Sequence, residues 1–291
     1  MTECAGCGGV SPFPYPSPSE IDTFYTAQLE PSDYEVERYV RLDLNPQAAE
    51  QAHHIADQLT ALQRGAGRLL EVGCAAGWIL KAAEAQGWEV KGVEASPKFS
   101  TFARGDLSLD VFSGLIADIP THEWPSYDVI VALDVFEHLH DPVRDLRVLR
   151  SVASTDARLM LTTPNIASRV ARLYGTRWRQ ILPSHVNYST PASLEATLAR
   201  AGWRLERISE PRYWDPDPTT EASNKRAEIA KFVARILLAS SVMPVLRRSQ
   251  LLRRLVEAVT RGRLTWSDLQ YRVGGQPVLG DVMLAIARPA T

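Results

Sequence analysis

Four short stretches place acids, glycines and histidines where ligand chemistry needs them. In LLEVGCAAGWIL, Leu69 to Leu80, an apolar run carrying Glu71 breaks at Gly73 and again at Gly77. Glycines remove side chains from a turn where a ligand approaches the backbone. A carboxylate just ahead of such a turn repels a pyrophosphate but holds a cation, directly or through water. In WEVKGVEAS, Glu94 closes an alternating run, and a carboxylate at the end of a parallel strand accepts both hydroxyl protons of a ribose. Asp118 follows the run VFSGLI, just ahead of Pro120. YDVIVALDVFEHLHDP ends a buried run in Glu137, His138 and His140, and His185 stands in PSHVNYST. A histidine whose pKa lies near the working pH is a natural base for a hydroxyl that must lose its proton.

These residues act together only if their strands end at one edge. The apolar run Leu69, Leu70, Val72 suits a parallel strand covered on both faces. The next strand ends at Glu94, with Ser96 and Pro97 opening a helix, and Val129 to Leu133 forms a further buried strand. DPVRDLRVLRSVAS is an amphipathic helix, ARLMLTTPN a strand ending at Pro164 with Asn165 at the crevice edge. Thr190 and Pro191 then start a helix as cap and first residue, and Gly202 ends it. In an open parallel sheet the carboxyl ends of the strands form the ligand crevice. The glycine spacing, Gly-x-x-x-Gly with Ala75 between, departs from the Gly-x-Gly-x-x-Gly of a dinucleotide fold.

Glu71, Gly73 and Gly77 match the acidic-x-Gly-x-x-x-Gly of motif I in class I S-adenosylmethionine-dependent methyltransferases. The acid-histidine cluster after Leu133 resembles the same family's signature past its fourth strand. The four motifs, in order, cover roughly residues 65 to 165. The resemblance implies an α/β, Rossmann-like fold with a seven-stranded, mostly parallel sheet, whose last strand, Asp281 to Arg288, runs antiparallel. It implies S-adenosylmethionine as cofactor and S-adenosylhomocysteine as product. Cofactor contacts are expected at Glu71, Gly73, Cys74, Ala75 and Gly77. Glu94 with Ala95 would hold the ribose, Asp118 the adenine amine, and Ile119 and Leu133 would line the pocket. His138 and His185 are the candidate bases, whereas His140, beside Asp141, is expected to face solvent.

Cys4 and Cys7 form a C-x-x-C knuckle ahead of Pro12, Pro14, Pro16 and Pro18, which favour extended chain. The segment resembles the second half of the zinc-ribbon arm of some sugar and natural-product methyltransferases. Zinc takes four ligands, no second cysteine pair is at hand, and His53 and His54 are unpatterned, so the sequence argues against a zinc site. From Ile21 to Leu62 the pattern is helical, with Tyr25, Tyr34 and Tyr39 on elements expected to cap the crevice.

The chain has 291 residues, 45% hydrophobic and 23% charged, enough for one large α/β domain and an appendage. A net charge of -2 argues against general nucleic-acid binding. Without an apolar run of about 18 residues or a signal-peptide core, a cytoplasmic protein is expected. Three cysteines do not build a disulfide scaffold. Residues 222–263 carry ten Lys or Arg against two Glu, a local charge of +8. This basic amphipathic stretch suits peripheral contact with an anionic membrane or a lipid-linked acceptor, or else a lid or dimer contact. The expected division is an arm (1–20), cap helices (21–64), cofactor-binding core (65–211), helical insertion (212–279) and final core strand (280–291).

The function expected is methyl transfer to a small-molecule acceptor, foremost a hydroxyl on a sugar, lipid-linked or natural-product intermediate. Carbon methylation of a sugar is the alternative within the class. Outside it stand a non-catalytic cofactor binder and a nicotinamide-dependent oxidoreductase, the latter disfavoured by the glycine spacing and Glu71.

Overall fold

A computed structural model describes residues 1–17, 19–20, 37, 39–42, 46–209 and 282–290. Strands β1 (Thr2–Glu3) and β2 (Val10–Ser11) pair as a small hairpin. Helix α1 (Pro46–Gln63) follows, then β3 (Arg68–Val72), α2 (Trp78–Ala85), β4 (Glu89–Glu94), α3 (Pro97–Gly105), β5 (Val111–Ser113) and β6 (Tyr127–Ala132). Helix α4 (Pro142–Ser151), β7 (Ala153–Pro164), α5 (Arg169–Tyr174), α6 (Pro191–Arg200), β8 (Trp203–Ser209) and β9 (Val282–Pro289) complete the series.

Seven strands form one sheet in the order β5-β4-β3-β6-β7-β9-β8. All neighbours from β5 to β7 run parallel, and β9 lies antiparallel to both β7 and β8. The expected antiparallel final strand is therefore present. The chain leaves β3 toward β4 on one side and later crosses to β6 on the other. That reversal opens a crevice at the carboxyl ends of β3, β4 and β6.

Period-two alternation explains the two apolar layers. Leu70 and Val72 of β3, Ile130 of β6 and Leu159 and Leu161 of β7 face Leu146 and Leu149 of α4 and Leu194 and Leu198 of α6. Leu69, Val129, Val131 and Met160 point the other way, onto Ile55 and Leu59 of α1 and Leu80 and Ala83 of α2. Helix α1 is thus a layer of the core as well as the last part of the helical region expected to cover the crevice. Trp203 is wholly buried and its indole N–H donates to the Leu146 carbonyl at 2.9 Å.

The predicted helix starts are capped as the sequence requires. The Ser193 amide donates to Thr190 Oγ1 at 3.0 Å and the Thr190 amide to Ser193 Oγ at 2.8 Å, a reciprocal cap ahead of Pro191. Asp141 accepts from the Arg144 amide at 3.0 Å to start α4. Strand β7 begins at Ala153, earlier than the apolar run suggests: Ala153 pairs with Tyr127, and the register then shifts so that Val129 pairs with Arg158, leaving Ser154 to Asp156 in a bulge. Among the described residues no helix is long and apolar enough to cross a membrane. Tyr25, Tyr34 and the basic stretch 222–263 lie outside the described residues.

Candidate active site

The turn after β3 is built by backbone conformations that side chains resist. Gly73 has φ +68°, and a Cβ there would meet Val135 Cγ2 at 2.6 Å. Gly77, with φ +85°, is the residue from which α2 starts, and a Cβ would meet Leu109 Cδ1 at 2.6 Å. Ala75 between them takes φ +46°, a left-handed conformation in a residue that carries a Cβ. The amides of Gly73 and Cys74 both donate to the Val93 carbonyl, at 2.8 and 3.3 Å, tying the turn to the end of β4.

Glu94 occupies that end and holds the turn from the other side. Its Oε2 accepts the Ala75 amide at 2.8 Å and its Oε1 the Ser96 amide at 2.7 Å. Burial raises its pKa above the usual carboxylate range, against those backbone bonds. Glu71, directly below, is more deeply buried, and its Oε2 has no hydrogen-bond partner. Burial, and then the charge of Glu94, push its pKa well up. The Cys74 thiol is pushed up by the same burial and by both acids, and packs into the core with Leu80 and Val111. Two buried acids, one with an orphaned oxygen, are costly to ionise without a positive partner. The site therefore fits a ligand that brings a positive charge.

Exposed Ala95 and half-buried Ala75 line the same edge. Asp118 is also exposed, but it lies in a short 3-10 turn, Ile116–Asp118, beyond β5, where its Oδ2 accepts the Leu115 amide at 3.2 Å. The Ile119 side chain is buried in the core, and its amide and carbonyl are hydrogen-bonded to the Ile116 carbonyl and the Thr121 amide, at 3.2 and 2.9 Å. Leu133 lies one residue past β6, half-buried against the α2 layer.

Asp134 was not singled out in the sequence. It has φ +54°, its amide donates to Thr162 Oγ1 at 2.8 Å, and that hydroxyl donates to Asp134 Oδ1 at 2.8 Å. The rule that found Glu94, an acid at the carboxyl end of a buried strand, also selects it.

His138 and His185, 47 positions apart in sequence, meet edge to face with ring centroids 4.7 Å apart and planes at 83°. The His138 Nδ1–H donates to the Ser184 carbonyl at 3.0 Å and the His185 Nδ1–H to the Gln180 carbonyl at 2.8 Å. A carbonyl can only accept, so each neutral ring keeps its lone pair on Nε2. Burial, then His185, lowers the His138 pKa to about 4. Burial also lowers that of His185.

Glu137 is buried with Oε2 unpartnered. Burial, then the charge of Asp134, raises its pKa to about 8, which a backbone hydrogen bond offsets only in part. Ligand-capable atoms of Glu137, His138 and His185 all lie within 4.8 Å of one another, the one group of three such side chains among the described residues. It includes neither Cys4 nor Cys7.

His140 does not face solvent as expected. Its ring packs on Tyr15 at 5.3 Å between centroids, and its Nε2 lies 3.3 Å from the Pro16 carbonyl. Asn165 is buried and bridges to Ser189. Tyr39 packs edge-on against Phe99 at 5.5 Å, and its carbonyl accepts from the Trp78 indole at 2.8 Å.

A family model described as a methyltransferase domain matches residues 44–208, more than half of the chain. The chain belongs to that family. It is accordingly an S-adenosylmethionine-dependent methyltransferase, and the paired acids and glycine turn lie at the carboxyl edge of its sheet. A ubiquinone biosynthesis O-methyltransferase of Xanthomonas euvesicatoria is 25% identical over 162 residues, 52% of this chain and 68% of that protein. Among solved structures, the plantazolicin methyltransferase BamL superposes with a TM-score of 0.53 at 14% identity, covering 94% of this chain and 95% of its own. A methyltransferase from Archaeoglobus fulgidus gives 0.50 at 17%, covering 82% and 94%. At these identities the structural likeness speaks to fold.

Proposed function

We propose that this methyltransferase transfers its methyl group to a hydroxyl of a small molecule, with His185 as the base. The observation that carries the reading is the His138–His185 pair, two imidazoles fixed as Nδ1–H forms with both Nε2 lone pairs unprotonated. S-adenosylmethionine, when bound, supplies a sulfonium methyl for in-line displacement. Glu94 would hold the ribose, Glu71 would face the positive charge, and the backbone of Gly73, Cys74, Ala75, Gly77 and Ala95 would line the approach. Asp118, Ile119 and Leu133 would border the adenine. His185 Nε2 would take the proton that the acceptor hydroxyl must lose for methyl transfer. His138, held near pKa 4, is too weak a base near neutrality and orients its neighbour.

The relative named as an O-methyltransferase supports oxygen over carbon as the acceptor atom. The division into arm, cap, core and insertion, and a contact of residues 222–263 with anionic lipid, belong to the same proposal. Co-sedimentation with phosphatidylserine vesicles at low and high salt tests the latter.

The main test is release of S-adenosylhomocysteine with caffeic acid and with a nucleotide sugar as hydroxyl acceptors. Loss of a general base costs about 10²–10⁴ in rate. His185→Gln is expected to show that loss with cofactor affinity unchanged, and unaltered turnover would remove His185 from the chemistry. A second reading rests on the orphaned Glu137 Oε2: two imidazoles and a carboxylate also suit a divalent cation that would bind the acceptor oxygen. Loss of turnover in EDTA, restored by added Mg²⁺ or Zn²⁺, would favour it.

A further inference from the structure

The first seventeen residues touch both histidine-bearing segments. Around the hairpin of β1 and β2, the Cys4 amide donates to the Gly9 carbonyl at 2.7 Å and the Gly8 amide to the Cys4 carbonyl at 2.8 Å. This closes a tight loop and sets the direction in which Val10 leaves. Val10 then makes a reciprocal backbone bridge with Tyr188. The Val10 amide donates to the Tyr188 carbonyl at 2.9 Å, and the Tyr188 amide to the Val10 carbonyl at 2.8 Å. The Val10 side chain joins the apolar cluster of Ala171, Trp178 and Tyr188. Tyr188 lies three positions after His185, and their rings are 6.2 Å apart.

Five residues further on, the arm reaches the other segment. The Tyr15 hydroxyl donates to the His140 carbonyl at 2.9 Å, the two rings pack at 5.3 Å, and His140 Nε2 lies 3.3 Å from the Pro16 carbonyl. His140 is two residues from His138. Between the segments, Asn187 donates from its side chain to the Leu139 carbonyl, and the Val186 and Asn187 amides donate to the Glu137 carbonyl at 2.8 and 3.0 Å.

His138 ends a single 3-10 turn, Phe136–His138, and His185 lies in a loop, so the placement of each rests on such cross-links. Besides the direct bonds between the two segments, a backbone bridge on one and a tyrosine anchor on the other both come from one short stretch. We infer that residues 1–17 are a positioning element, in which Val10 and Tyr15 clamp the two loops so that His138 and His185 meet at the observed spacing. The inference rests on the acid–base reading of that pair. The arm touches no reacting atom, so its effect falls on the rate step and leaves cofactor binding alone.

The test uses the full-length protein with three substitutions. Val10→Pro removes the amide that bonds Tyr188, Tyr15→Ala removes the anchor on His140, and Tyr15→Phe keeps the ring but not the hydroxyl. With caffeic acid as acceptor, kcat is expected to fall at least tenfold in the first two, while S-adenosylhomocysteine affinity stays within threefold. Tyr15→Phe should recover most of the rate lost in Tyr15→Ala. Ring nitrogen resonances of His138 and His185, assigned with His138→Gln and His185→Gln, should shift in both impaired variants.

Unshifted histidine resonances in a folded Tyr15→Ala protein, with kcat within twofold of the unmodified enzyme, would overturn the inference. Should Val10→Pro fail to fold, the Tyr15 pair decides alone. The histidine substitutions separate the two readings: full turnover in both removes the acid–base role, and the ring resonances then still decide whether the arm sets their spacing.

Discussion

Replacing Glu94 by Ala isolates the grip on the cofactor. In the protein alone its two oxygens already accept the Ala75 and Ser96 amides at 2.8 and 2.7 Å, so a ribose diol must add to a satisfied carboxylate. The loss is therefore taken as that of one hydrogen bond to a charged group, about 1.5–3 kcal/mol. That corresponds to a roughly 10- to 150-fold rise in Kd for S-adenosylmethionine and its product. Titration calorimetry measures it directly, with thermal unfolding in parallel to show that the turn still folds. The pH dependence carries a sign. Burial raises the Glu94 pKa, and only the ionised form can accept both hydroxyl protons. Affinity is thus full above the raised pKa and falls as pH drops through it, and the Ala variant should lose that slope. A folded Glu94→Ala protein whose Kd stays within threefold and keeps the slope would refute the assignment.

Three further outcomes follow from the same turn and the arm. Ala75→Gly relieves left-handed strain of about 1–2 kcal/mol but loosens the unfolded chain by about 0.4–1 kcal/mol. The net gain should raise Tm by about 1–3 °C without weakening the cofactor, as read by scanning fluorimetry. Gly73→Ala should destabilise by about 2–4 kcal/mol, because the added Cβ meets Val135 at 2.6 Å and strains a φ of +68°; denaturant titration checks it. Ellman's reagent should label Cys4 and Cys7 in the native protein and leave Cys74 unlabelled until unfolding. The Gly6 and Cys7 amides lower the Cys4 pKa, whereas burial raises that of Cys74.

The strand ends were legible because each is written locally. An apolar run, then a glycine or an acid, fixed the places of Glu71, Gly73, Gly77 and Glu94, and Ser96 and Thr190 announced their helices by the chemistry of the cap. The ring contact of His138 with His185 was not legible, since the loop that carries His185 brings Ser184 to the His138 ring from another part of the chain. His140 was misread for the same reason: Asp141 beside it suggests solvent, and its real neighbour, Tyr15, is 125 positions away. Asp134 was overlooked because the more conspicuous Glu137 and His138 follow it so closely. The position of Asp118 differs from expectation because β5 ends at Ser113 and the chain makes the 3-10 turn Ile116–Asp118 before reaching the acid.

Strand β9 is last in the chain yet sits between β7 and β8 in the sheet. While the protein is being synthesised, the outer edge of β7 emerges long before the strand that will cover it, and β8 has no sheet neighbour until the same moment. At roughly 5–20 residues per second, that wait lasts many seconds. An uncovered apolar edge is a template for pairing with another nascent chain. The antiparallel insertion of β9 therefore makes Val282–Pro289 the seal on the sheet, and protein synthesis cut short anywhere before Val282 leaves an adhesive sheet edge rather than a slightly shortened enzyme.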